Sequence, residues 1–100
     1  MRIGTTPVHT FDLPFEISLI KELKVTYVQA GKTVIEKRLN EGEVEGNSIR
    51  FNLTQSETFR FNAGTPVEIQ LRALLRNGEA LSTDIINISA DKCLDREVLK

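Results

Sequence analysis

Along most of this chain apolar and polar residues alternate with a period of two, the spacing of a strand that buries one face. In KELKVTYVQ, residues 21–29, Leu23, Val25 and Tyr27 share one face and Lys24, Thr26 and Val28 the other, with β-forming residues on both. Ala30-Gly31-Lys32 then supplies a turn. Residues 32–39 resume with Thr33, Ile35, Lys37 and Leu39 set against Val34, Glu36 and Arg38, so the two runs predict a hairpin. After a polar loop at 40–47, SIRFNL puts Ile49, Phe51 and Leu53 on one face and Arg50 and Asn52 on the other.

Thr54-Gln55-Ser56-Glu57 has the form of a capping box and predicts one helical turn near 55–58. Gly64 and Pro66 favour a bend before the next strand. At the start of the chain, HTFDLPFEISLI carries Pro14 in mid-run. Proline cannot donate to a ladder, so this segment reads as an edge strand that breaks there and can switch sheets. Six to seven evenly spaced strands without a convincing long helix predict an all-β fold, an antiparallel immunoglobulin-like β-sandwich. A small, partly open barrel is the alternative.

The clearest hairpin is VEIQLRALLRNGEALSTDIINIS, residues 67–89, and Asp84 is its awkward member. A tight two-residue turn at Asn77-Gly78 would set Asp84 opposite Leu71 and bury its carboxylate. A three-residue loop of Arg76, Asn77 and Gly78, with Gly78 left-handed, turns Asp84 outward toward Arg72 and puts Leu81, Thr83 and Ile85 on the apolar side. Burying an unpaired polar group costs roughly 2–7 kcal/mol, which favours the second register. Ile86 and Ile88 then need one extra residue to regain the apolar face, predicting a bulge near Ile85-Ile86.

One hundred residues allow a single domain, 1–100, with one modest core. Thirteen basic and fourteen acidic residues balance to a net charge of -1, without the basic excess that phosphates or anionic lipids demand. Nucleic acid and membrane are therefore not expected partners. Cys93 is the sole cysteine, so no intrachain disulfide or multi-cysteine zinc site can form, which suits a reducing compartment. The first residues show no signal-peptide core and no apolar run reaches bilayer length, so a cytoplasmic site of synthesis is expected. Without a secretory route, Asn52-Leu-Thr54 and Asn87-Ile-Ser89 read as strand residues rather than glycosylation acceptors.

Candidate chemistry is sparse. His9 has no nucleophile in a matching motif and reads as a surface histidine. Glu41, Glu43 and Glu45 alternate in a loop but lack calcium-loop spacing, and Asp12 and Glu16 flank Pro14 as surface charges. No catalytic residue, metal site or cofactor is expected. Phe59, Phe61 and Tyr27 are the candidate binding surface: aromatic rings that could stack on a sugar, or else enter the core. The tail DKCLDREVLK sets Leu94 and Val98 four apart, which suits a short helix or a strand offered to a neighbour, with a frayed terminus as the alternative.

HTFDLPFEI, LTQSETFRF and VEIQLRALLRNGEALST together resemble a family of small immunoglobulin-like proteins encoded among the tail and baseplate genes of phages and prophages of Gram-positive bacteria. The resemblance implies a non-enzymatic module of protein–protein assembly, bound to copies of itself or to neighbouring tail proteins, and carried in the virion. A carbohydrate-binding module using exposed Tyr27, Phe59 or Phe61 is the alternative.

Overall fold

The computed structural model describes residues 1–100 and is all-β, with two antiparallel sheets enclosing one core. Eight strands run in chain order: β1 Val8–Asp12, β2 Ile20–Gln29, β3 Lys32–Arg38, β4 Glu43–Glu45, β5 Ser48–Asn52, β6 Val67–Leu75, β7 Ala80–Ser82 and β8 Ile86–Ile88. The smaller sheet has the order β1-β5-β4. The larger has the order β3-β2-β6-β7, with β8 also paired to β6. The expected count of six to seven becomes eight for two reasons. The acidic loop contributes the three-residue β4, and the last expected strand is split in two.

Alternation decides what goes inside. Phe11, Leu13, Ile49, Phe51 and Leu53 face inward from the smaller sheet and its extensions. Leu23, Val25, Tyr27, Ile35, Val67, Ile69 and Leu71 meet them from the larger sheet. Pro14 acts as expected: β1 is an edge strand, and beyond it the chain crosses between sheets through a 3₁₀ turn at Ile17–Leu19 that leads directly into β2. The crossing is tied at both ends. Leu13 and Ile17 amides donate to Asn47 and Gly46 carbonyls at 2.9 and 3.0 Å, and the Arg76 amide donates to Leu19 at 2.9 Å.

Between β2 and β3 the turn residues Ala30 and Gly31 both have positive φ, 49° and 76°, the type I′ geometry whose twist matches a hairpin. Alanine is poorly suited there, because its Cβ crowds the neighbouring carbonyl at a cost of roughly 1–2 kcal/mol. Ala30→Asn, which makes the favoured Asn-Gly pair, should therefore raise stability by about 1 kcal/mol, read as a higher urea midpoint at unchanged slope.

The β6 hairpin adopts the three-residue loop. Leu75 pairs with Glu79, Gly78 has φ 94°, and Leu74, Ala73 and Arg72 oppose Ala80, Leu81 and Ser82. Further on, Ile69, Glu68 and Val67 oppose Ile86, Asn87 and Ile88, a register shifted by one residue. The extra residue lies within Thr83–Ile85, where the expected bulge belongs. Thr83 repairs the ladder, because its hydroxyl accepts the Leu71 amide at 3.1 Å while its carbonyl takes the Gln70 side-chain amide at 3.0 Å. The expected capping box is present over α1, Gln55–Thr58: the Glu57 amide donates to Thr54 Oγ1 at 3.1 Å, and the Thr54 amide donates to Glu57 Oε1 at 2.9 Å.

Candidate functional site

The three candidate rings do not form a surface. Tyr27 and Phe61 are fully buried and lie 6.1 Å apart between ring centres, while Phe59 is half-buried with the Arg96 guanidinium 5.1 Å above it. Residues 59–61 are not a strand, so the pattern of alternate aromatics misleads. Phe59 caps α1 and the Phe61 amide turns back to the Thr58 carbonyl at 3.2 Å, which drives Phe61 beneath the helix and into the core. The expected platform of Tyr27, Phe59 and Phe61 is corrected accordingly: two of its rings are core residues.

His9 is likewise not a plain surface residue. It is half-buried on the inner side of β1, stacked on Tyr27, with Nδ1 2.7 Å from the tyrosine hydroxyl. The bond joins one sheet to the other. Burial, with the positive amino terminus adding to it, holds His9 below its ordinary value, and burial, with Glu57 nearby, raises Tyr27. The hydroxyl and Nδ1 share one hydrogen bond, whose donor is set by the imidazole tautomer. Because the folded pKa is depressed, stability is complete above 6.5, the ordinary histidine value, and falls as pH drops below it. The unfolded chain takes up a proton there that the native imidazole resists. The fall in urea midpoint between about pH 7.5 and about pH 5.5 should therefore shrink in His9→Asn, and an unchanged fall would exclude His9 as the cause.

Lys37 alternates onto the inner face beside Ile35 and is buried, which sequence pattern alone cannot accommodate. Its Nζ lies 2.7 Å from Glu57 and 3.8 Å from Glu41. Desolvation is the largest influence on Glu57 and pushes its carboxyl up. The hydrogen bonds from Lys37 and Thr54, together with the lysine charge, outweigh it and leave the group below its usual range. Every buried side-chain polar atom finds a partner, so this cluster reads as a satisfied structural network. In the acidic loop Glu41 takes the Arg38 amide at 3.0 Å and Glu43 meets Arg50 at 3.3 Å. No group of three or more His, Cys, Asp or Glu is placed to hold a metal ion.

What remains open is the rim of the sandwich. Odd-numbered residues of β1 hydrogen-bond toward β5, as the Leu53–Pro7 and Leu13–Asn47 bonds at its two ends establish, so the backbones of Val8, Thr10 and Asp12 point to solvent. On the larger sheet, β7 and β8 offer a second free edge, where Leu81, Ile85 and Ile86 are exposed. Leu81 and Ile85 were expected inside; they lie uncovered because no strand packs beyond them. Asp84 does point outward, but no ion pair joins it to Arg72.

Between these two edges runs a groove of about 350 Å³. Its floor is the core itself, Leu71 and Ala73, with Leu81 along one wall and Phe15 along the other. Asp84 and Asp12 stand on opposite rims. Asp12 accepts a hydrogen bond from the Ser48 hydroxyl, whereas Asp84 has no partner. The other two edges are protected: β3 carries Lys32, Glu36, Lys37 and Arg38, and β4 is three residues with two glutamates. Residues 80–88 carry a single charge, Asp84.

No helix is long and apolar enough to cross a membrane. No protein-family model, curated protein or solved structure matches the chain.

Proposed function

We propose that this protein is a non-enzymatic assembly module of the tail or baseplate of a phage or prophage of Gram-positive bacteria, acting through strand edges on other proteins. One observation carries the assembly reading: the unguarded edge at β7 and β8, with Leu81, Ile85 and Ile86 exposed beside a groove floored by core residues. Natural sheets normally blunt such an edge with lysine, proline or a covering segment, because its free backbone groups recruit another strand. An edge left apolar and nearly uncharged is one that a partner covers. The phage context rests on the resemblance of HTFDLPFEI, LTQSETFRF and VEIQLRALLRNGEALST to that family.

Light scattering across a concentration series, run on the chain alone and with the products of the genes adjoining its own, tests the reading. Self-association or a defined complex is expected. A monomer that ignores all of those products would end it.

A further inference from the structure

The chain contains two uncovered apolar features, and each has the chemistry the other lacks. The first is the groove between β1 and β7, apolar at its floor and acidic on both rims through Asp12 and Asp84. The second is the tail after Cys93. It forms no helix or strand, and Leu94, 92% exposed, is the most exposed large apolar side chain in the protein. In an extended conformation alternate side chains share a face, so Leu94, Arg96 and Val98 line up with Lys100, an apolar and cationic strip. We infer that the tail of one copy seats in the β1–β7 groove of the next, adding a strand to the β7 edge with Leu94 and Val98 against Leu71, Ala73 and Leu81, and with Arg96 between Asp12 and Asp84. The inference rests on the assembly reading above and names its partner as a second copy.

Placement makes the exchange intermolecular. The tail is held at the α1 end of the sandwich: Leu99 and Gln55 exchange two hydrogen bonds of 2.9 Å, and Arg96 donates to the Phe59 carbonyl at 2.7 Å. That end adjoins Leu53, whose amide pairs with Pro7 just before β1, while the groove opens at Asp12 where β1 ends. The length of β1, five residues at about 3.3 Å each, separates the two, and Cys93, packed against the core beside Gly4, keeps the Leu94 that follows it at its own end. The bonds that tether the tail at home are all exposed, so water replaces them readily when the tail leaves. Donor and acceptor are different surfaces, so the contact is head-to-tail and builds a ring or an open chain rather than a two-fold dimer.

Two variants of the full chain test this by light scattering. Leu94→Asp/Val98→Asp blocks the donor, and Leu81→Arg/Asp84→Arg blocks the acceptor. All four positions are exposed, and a urea midpoint near the parent's confirms that each variant folds. The parent should form oligomers that grow with concentration between about 1 μM and about 1 mM. Each variant alone should stay monomeric, and an equimolar mixture should give a heterodimer and nothing larger, because one free tail meets one free groove. Arg96→Glu should weaken parent assembly at least tenfold, and adding Asp84→Arg to it should restore it. Oligomers that persist in the donor-blocked chain overturn tail donation and leave the assembly reading standing. A parent chain monomeric throughout overturns tail donation too, and binding to the products of adjoining genes then decides separately whether the assembly reading falls.

Discussion

Phe61→Ala is expected to lower stability by about 3–5 kcal/mol, the usual cost of emptying a buried aromatic site. The ring is fully enclosed against Tyr27, and the turn that carries it is pinned by its own amide to Thr58, so little can collapse into the space. Set against a total of about 5–15 kcal/mol for a domain, a loss of this size is a large share of the fold's stability. Tyr27→Ala should behave alike, whereas Tyr27→Phe keeps the ring, loses the bond to His9 and should cost only about 1 kcal/mol. Urea unfolding of the three variants distinguishes a core from a binding platform. If Phe61→Ala left the midpoint unchanged and instead abolished retention on a sugar matrix, the reading of Phe61 as a core residue would be wrong.

The second large effect is expected at Glu57, because one carboxylate performs two tasks. One oxygen caps the α1 amide of Thr54, and the other meets buried Lys37 at 2.7 Å. Glu57→Ala removes both and leaves the lysine with only Glu41, 3.8 Å away, so a loss of about 2–4 kcal/mol is expected from a cap plus a charged hydrogen bond. Glu57→Gln retains an oxygen for the cap and should lose about half as much. Both variants also differ from the parent with pH. The folded carboxyl lies below its ordinary value of 4.5, so its contribution is present above 4.5 and disappears as pH falls through the lower folded value. In Glu57→Gln this part of the acid transition should be absent. If both variants lost equal stability and kept the parent's acid profile, the lysine pairing would carry no weight.

Much of the backbone could be read before any coordinate. The two-residue alternation of 21–29 and 67–75, the Thr54–Glu57 capping box, the break at Pro14 and the three-residue loop with its compensating bulge all follow from rules that act over a few residues. The outward turn of Asp84 belongs with them, because a one-residue slip would have exchanged every side chain between the faces. The candidate site was much less legible. Tyr27 shares its face with Leu23 and Val25, which points it inward, whereas alternate Phe59 and Phe61 suit a core or a surface, and only the turn after α1 puts Phe61 underneath it.

Local pattern determined which residues share a face, where the chain bends and which register the long hairpin takes, because strand period, turn chirality and capping depend on neighbours in sequence. Only the tertiary structure decided what each face meets. It brings Glu57 to buried Lys37, and His9 to Tyr27 across the two sheets. It also leaves Leu81 and Ile85 uncovered although they alternate like core residues, because the strand order stops at β7 and β8. Burial depends on which element arrives from far along the chain, and periodicity in one segment carries no record of that.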